Sequence, residues 1–298
     1  MNDLLLSALL GVVEGVTEFL PVSSTAHLRI TEALVGVDLG NGYWKMFTIV
    51  IQLGAIACLP IYFRHRIAGF LAGFARAVRE GRVLRDPLTL TAIAFVCTAV
   101  PSLLLIRLIG KNLESLFVMA GSLVIGGVVM WVVDAAYARQ ALRTRTDAME
   151  RMGLGQAVWV GLAQNFSAVF PGVSRSMATI AAGQLGGMTR AAALEFSFFL
   201  SMPTMVAATG YDLLKTLKGG AASPLGPVVM DAHGWLLLAI GFVVSFVVAY
   251  AVVAWFMGWV RSRGFVPFAV YRIVAGAAVR AWARGVVGAG GVGGGLAR

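Results

Sequence analysis

The chain has 298 residues, of which 59% are hydrophobic and only 13% charged, with a mean hydropathy of +0.84; soluble domains carry about 25% charged residues, so a large water-soluble core is excluded. The net charge is +10, but Lys and Arg gather at the ends of apolar runs, which is the signature of membrane topology and argues against a nucleic-acid partner. Cys58 and Cys97 stand alone inside apolar segments, without CxxC or Cys/His spacing, and read as small packing residues.

Residues 3–36 come first. Asp3 precedes the apolar run, no Lys or Arg occurs before Arg29, and Glu14 and Glu18 fall where a cleavage site would lie. Mature protein is therefore expected here and not a signal peptide. Spans follow at about 44–63, 88–108 and 115–136, each near the ~20 residues that cross a ~30 Å hydrocarbon core. Between the first two lies a basic loop, 64–87, with Arg64, Arg66, Arg76, Arg79, Arg82 and Arg85 against Glu80 and Asp86. That loop should face the cytoplasm, as should 137–153 and the link at Arg261 and Arg263. Residues 154–187 resemble 3–36, and three more spans follow at about 192–212, 234–258 and 266–284. The end, 285–298, is Gly-rich and reads as a flexible tail.

The resemblance between 3–36 and 154–187 is specific. GVVEGVTEFLPVSSTAHLRI (11–30) aligns without a gap to GLAQNFSAVFPGVSRSMATI (161–180), pairing Gly11 with Gly161, Glu14 with Gln164, Pro21 with Pro171 and Ser24 with Ser174. KMFTIVIQLG (45–54) stands opposite LEFSFFLSMP (194–203) at almost the same offset. For the loop charges to alternate, each copy must begin and end on one side, as a re-entrant hairpin turning at its Pro. The expected fold is thus a single all-α polytopic membrane domain with an inverted-topology repeat, 1–136 and 154–284, of about six transmembrane helices plus two re-entrant helical hairpins. Irregular backbone at membrane depth is tolerated only inside protein or beside a watery cavity, so the hairpin tips should meet in the interior.

The polar residues of the hairpins are the candidate site. Glu14 and Glu18 stand one helical turn apart, and each acid costs roughly 2.5–3.5 kcal/mol in a lipid-depth helix. Facing a polar cavity, the pair can hold a divalent cation such as Mg²⁺ or Ca²⁺ or share a proton; at an interface, both acids would sit in water. PVSSTAH (21–27) then brings Ser23, Ser24, Thr25 and His27 into one turn. Helix capping explains one or two hydroxyls but not His27, which together with a carboxylate and a hydroxyl supplies nucleophile, base and orienting group. In PGVSRSMAT (171–179), Arg175 lies between Ser174 and Ser176 near a helix start, with Thr179 following. Backbone N–H groups and guanidinium there suit a phosphate, while snorkelling to the interface is the alternative. Glu195 is either the counter-charge of Arg175 or an acid at a helix N-terminus, and Gln52 should hydrogen-bond the first hairpin. An acid pair, a Ser/His nucleophile and an Arg clamp point to a phosphorylated lipid whose apolar tail enters from the bilayer. A transporter or flippase of a polyprenyl phosphate lipid is the alternative, because alternating-access carriers share the architecture.

At these residues the chain resembles the bacterial undecaprenyl-diphosphate phosphatases associated with bacitracin resistance. GVVEGVTEFLPVSSTAH, VIQLGAI, PGVSRSMAT, EFSF and FVPFAVYR all have counterparts there, in order. The resemblance implies hydrolysis of undecaprenyl diphosphate to the monophosphate and inorganic phosphate, at the outer face of the cytoplasmic (inner) membrane, recycling the carrier for cell-wall synthesis. It implies a divalent cation on Glu14 and Glu18, and catalysis by Ser24, His27, Glu18 and Arg175. Ser24 is favoured as nucleophile, with His27 as its base and Glu18 orienting, and His27 as nucleophile is the rival. Ser23, Thr25, Ser174, Ser176, Thr179, Gln52 and Glu195 are the expected substrate-binding set, and a homodimer is one option for assembly. Two positions depart from the family's usual Gly: Ala26, and Met177, whose side chain is expected to narrow the site or alter the backbone.

Overall fold

The computed structural model describes residues 2–38, 41–105, 115–139, 146–219 and 231–288. They form helices α1 (Asp3–Thr17), α2 (Ser24–Leu34), α3 (Gly42–Tyr62), α4 (Arg64–Arg79), α5 (Pro87–Leu104), α6 (Leu116–Ala138), α7 (Leu154–Val169), α8 (Arg175–Leu185), α9 (Arg190–Gly219), α10 (Ala232–Ser262) and α11 (Val266–Gly288). Local chemistry sets many of the starts. Asn2, Asn41, Asp86, Ser115 and Asp231 each accept from backbone N–H groups at the first turn of α1, α3, α5, α6 and α10. Pro87 occupies the first turn of α5, where its missing N–H costs nothing.

Among the described residues, six helices are long and apolar enough to cross a membrane: Gly42–Tyr62, Pro87–Leu104, Leu116–Ala138, Arg190–Asp212, Ala232–Val260 and Val266–Arg284. They match the expected spans within a few residues, and the expected end of the second, at 106–108, lies outside the described residues. Five described helices remain; apart from α4, they are the hairpin arms α1, α2, α7 and α8, with 15, 11, 16 and 11 residues. At 1.5 Å per residue the longest reaches about 24 Å, short of the hydrocarbon thickness. Each pair therefore folds back on itself around a turn, as a hairpin.

The hairpin arms pack across the molecule. α1 lies on α10 and α7 lies on α5, while α3 packs against α9 and α6 against α11. Small residues allow both arm crossings. A Cβ on Gly11 would come 2.8 Å from the Gly241 carbonyl oxygen, and one on Gly161 would come 2.8 Å from the Ala94 Cα. Aromatic side chains fill the centre: Phe19, from the first turn, meets Phe198 of α9 edge-to-face at 5.2 Å.

Two expectations change. The stretch 64–87, read as a basic loop, contains α4, which counting charges alone had hidden. Ile67, Phe70, Leu71, Phe74 and Val78 recur at helical spacing; Phe70 packs on Phe199 while Leu71, Phe74 and Val78 are exposed. Residues 285–288 of the expected tail are helical, since α11 continues to Gly288, and the rest of that expectation, 289–298, lies outside the described residues.

Candidate active site

Both hairpins turn through a serine in the left-handed region. Ser23 (φ 77°) and Ser174 (φ 73°) are the non-glycine residues with positive φ among those described, a conformation that L-residues hold only when their surroundings enforce it. Each caps the helix that follows: Ser23 Oγ accepts from Ala26 N at 3.5 Å, and Ser174 Oγ from Met177 N at 3.4 Å. The structural pair is therefore Ser23 with Ser174, not Ser24 with Ser174 as the ungapped alignment had it. Counted from the paired prolines, the second turn is one residue longer, Pro171 to Ser174 against Pro21 to Ser23, which shifts the register beyond it. Ser24 and Arg175 then become equivalent, each the first residue of its helix.

These two residues meet at Glu18. Ser24 Oγ donates to Glu18 Oε2 at 2.6 Å, and Arg175 Nη2 donates to Glu18 Oε1 at 2.8 Å. The ion pair is buried, with side-chain exposures of 12% for Arg175 and 4% for Glu18. Arg175 Nη1 has no hydrogen-bond partner, so the guanidinium keeps donors in reserve. Beside this triad lies a cavity of about 610 Å³. Its polar side is formed by Glu18, Ser23, Ser24, Thr25, Ser174 and Arg175, joined by Gln52 and Gln164. Its apolar side comes from α5 and α9, including Phe95, Leu103 and Met205. A charged headgroup and the start of a hydrocarbon chain can both be accommodated there.

Other expected site residues lie outside the cavity lining. Glu14 is fully buried next to Glu18, and neither of its carboxylate oxygens has a hydrogen-bond partner; the Gln164 Oε1 is orphaned as well. Ser176 links the hairpins: its Oγ donates to the Leu20 carbonyl at 3.0 Å and contacts Ser174 Oγ at 3.0 Å. Thr179 hydrogen-bonds Ser197 Oγ at 2.7 Å and so ties α8 to α9.

Glu195 is not the partner of Arg175. It accepts from Arg66 Nε at 2.7 Å, and Arg66 also reaches Glu150. Glu18 is closer to Arg175 and takes that role, while α4 brings Arg66 to Glu195. The hydrogen bond to Glu195 pushes the Arg66 pKa up. Burial pushes the Glu150 carboxyl up, but hydrogen bonds and charge from Arg66 outweigh it and leave Glu150 below the usual carboxylate range.

His27 is likewise not placed as the base of Ser24. Its Nδ1 lies 2.7 Å from the Ser23 carbonyl oxygen and its Nε2 lies 2.6 Å from Tyr271 Oη. A carbonyl can only accept, so Nδ1 carries the proton and Nε2 accepts from the tyrosine. Both nitrogens are engaged away from Ser24.

Two residues of α11 were missed. Tyr271 stacks on His27 with ring centroids 5.6 Å apart. Arg272 is fully buried and donates through Nη1 to the Pro21 carbonyl at 2.9 Å and through Nη2 to those of Gly172 and Val173, each at 2.9 Å. The signal was available, since an Arg in mid-span is a functional candidate by default. Met177, expected to narrow the site, is buried behind its cap, where a Cβ on Gly126 would come 3.0 Å from its Cε, and it is not among the cavity-lining residues.

Comparison with known proteins identifies the family. Residues 7–278 match the family described as bacitracin resistance protein BacA. An undecaprenyl-diphosphatase of Koribacter versatilis (strain Ellin345) is 67% identical over 286 residues, covering 95% of this chain and 99% of that protein. Proteins of the same name from Caldanaerobacter subterraneus subsp. tengcongensis and Rhizobium etli (strain CIAT 652) are 38% and 40% identical, over 93% and 92% of this chain and 94% and 95% of their own lengths.

Proposed function

The chain belongs to the bacitracin resistance protein BacA family, and on that premise we propose that it hydrolyses undecaprenyl diphosphate to undecaprenyl phosphate and inorganic phosphate, returning the carrier to peptidoglycan synthesis and conferring bacitracin resistance. The observation that carries the reading is Glu18 held between Ser24 and Arg175 beside a cavity with one polar and one apolar side. Glu18 takes the Ser24 proton as Oγ bonds to the terminal phosphorus; the bond from that phosphorus to the bridging oxygen breaks, and Glu18 returns the proton to the departing lipid phosphate. A water then attacks the seryl phosphate, giving its proton to Glu18, which passes it to the leaving Ser24 oxygen. The free Nη1 of Arg175 and the N-terminus of α8 supply positive potential for the phosphate oxygens, the main demand of phosphoryl transfer.

A divalent cation, Mg²⁺ or Ca²⁺, belongs to the proposal. The orphaned oxygens of Glu14, with Glu18 and Gln164 Oε1, are an oxygen-only donor set of the kind hard cations take. No cluster of three or more His, Cys, Asp or Glu occurs among the described residues, so water and substrate oxygens would complete the coordination. When bound, such a cation would neutralise phosphate charge.

The protein is a multi-pass membrane protein. We place it in the bacterial inner membrane with the cavity toward the outer face, because Ser102, Leu103, Tyr211 and Asp212 of the cavity lie at the ends of α5 and α9 away from the Arg-rich 64–86 segment. Assembly as a homodimer stays part of the proposal. The lipid-transporter alternative draws no support from the relatives, all named as diphosphatases.

The test is inorganic phosphate release from undecaprenyl diphosphate by the detergent-purified protein, with and without Mg²⁺, beside Glu18→Ala and Arg175→Ala. Metal-dependent release lost in both variants is expected. A folded protein that binds the lipid but releases no phosphate would overturn the reading and turn attention to lipid translocation in vesicles.

A further inference from the structure

We propose that Tyr271 and Arg272, consecutive residues of α11, are positioning residues that hold the two hairpin turns in the register at which Ser24, Glu18 and Arg175 meet. The triad is split between the turns: Ser24 and Glu18 belong to the first hairpin and Arg175 to the second. Its geometry therefore depends on how the turns sit against each other, and α11 touches both.

Arg272 is the stronger half of the clamp. Its side chain is fully buried, and no carboxylate pairs with it among the described residues. A buried charge in that position is costly unless dipoles replace its hydration. Here the dipoles are turn carbonyls: Pro21 from the first hairpin on Nη1, and Gly172 and Val173 from the second on Nη2, with Ser122 of α6 at 3.3 Å. Those carbonyls lie between helices, where the backbone offers them no ladder partner. One rigid guanidinium fork thus bonds to both turns at once, which a single ammonium at the end of a flexible stem is poorly shaped to do.

The neighbouring helix is built around this contact. A Cβ on Gly126 of α6 would collide with Arg272 Nη2, and one on Gly127 would come 2.8 Å from the Ala269 carbonyl oxygen. A Cβ on Gly172, which has φ +96°, would meet the Met119 carbonyl oxygen at 2.6 Å, so the second turn is pressed onto the same helix. Small residues at these positions let α6, α11 and the turn approach closely enough for the fork to reach.

Tyr271 acts on the first turn. Its hydroxyl donates to His27 Nε2, and His27 Nδ1 donates to the Ser23 carbonyl, so the chain of bonds ends on the strained cap immediately before Ser24. His27 thereby becomes a strut of the turn that presents the nucleophile.

The inference deepens the phosphatase reading, and its test has one arm independent of that reading. Spin labels on Leu34→Cys and Leu185→Cys, exposed residues at the far ends of α2 and α8, report the relation of the hairpins in the full chain carrying Cys58→Ala and Cys97→Ala. Arg272→Gln and Arg272→Lys should each broaden or shift the distance distribution and lower kcat roughly 100-fold, with KM within about threefold, as for a misplaced catalytic group. Tyr271→Phe should act in the same direction by roughly tenfold. A folded Arg272→Gln with kcat within about twofold of the parent, or a kcat loss with an unchanged distribution, overturns the clamp. If Arg272 variants fail to fold, the half-exposed Tyr271→Phe decides: unchanged kcat or unchanged distances sink the proposal. If the parent itself releases no phosphate, the phosphatase reading has failed, and the distances alone test the clamp.

Discussion

Ser24 and Arg175 begin the helices after the two turns, and both bond to the same carboxylate, Glu18. The serine hydroxyl thus has a proton acceptor 2.6 Å away, while both nitrogens of His27 are occupied by Ser23 and Tyr271. Ser24→Ala and Glu18→Gln should each lower kcat by roughly 10²–10⁴-fold, the range for loss of a positioned proton-transfer pair, whereas His27→Gln should cost only roughly tenfold through the turn it braces. Quenching turnover of substrate labelled in its terminal phosphate separates the nucleophiles chemically. A seryl phosphate survives acid and a phosphorus–nitrogen bond to histidine does not, so label retained in acid is expected, and label lost in acid but kept in alkali would move the attack to His27. The residue types were legible in the sequence because Glu18, Ser24 and Arg175 are expensive at membrane depth and have few uses there. Their partners were not. Whether Arg175 pairs with Glu18 or Glu195 depends on where α4 carries Arg66, and the engagement of His27 depends on a tyrosine more than 240 residues away.

At the scale of elements, long apolar runs made the six spans readable, and the Gly/Pro-broken repeats made the hairpins readable. The one-residue shift between the turns was hidden, because aligning Pro21 with Pro171 favours the ungapped register while the caps at Ser23 and Ser174 obey the shifted one. α4 was hidden because its arginines dominated the reading of 64–87, although its apolar residues keep helical spacing. The repeated glycines, in contrast, had a physical meaning that the fold supplies. α7 crosses α5 so closely that a Cβ on Gly161 would press on the backbone of Ala94, which cannot rotate away as a side chain can. Gly161→Ala should therefore destabilise the protein by about 1–3 kcal/mol, the usual range for overpacking a tight contact, and should lower phosphate release by tilting the arm that carries the second turn. Gly155→Ala, about 1.7 turns earlier on the same helix with open space around it, should leave both the thermal midpoint and the activity unchanged. Equal effects at the two positions would mean that the crossing at Gly161 is not what orients α7.

The whole molecule divides its polar groups between an interior site and two ends. The first arm of each hairpin rests on a span of the opposite half, α1 on α10 and α7 on α5, so neither half encloses the site alone and the turns meet only when both are in place. From that meeting point the cavity runs along α5 and α9 to Leu103 and Asp212, while the other end of α5 joins the arginine-rich α4 segment. A lipid diphosphate presented on one side of the membrane can be hydrolysed only if the cavity opens to that side, so orientation is part of the mechanism. In the orientation proposed from loop charge, Arg76 and Arg79 face inside, because translocating clustered arginines is disfavoured. Single cysteines replacing Arg79 and Asp212, in the chain carrying Cys58→Ala and Cys97→Ala, should then respond oppositely to a membrane-impermeant maleimide on intact bacterial spheroplasts. Asp212→Cys should label from outside, and Arg79→Cys only after the membrane is opened. The reverse pattern would put the cavity on the cytoplasmic face, where the enzyme would meet a diphosphate produced inside the cell and its place in carrier recycling would have to be redrawn.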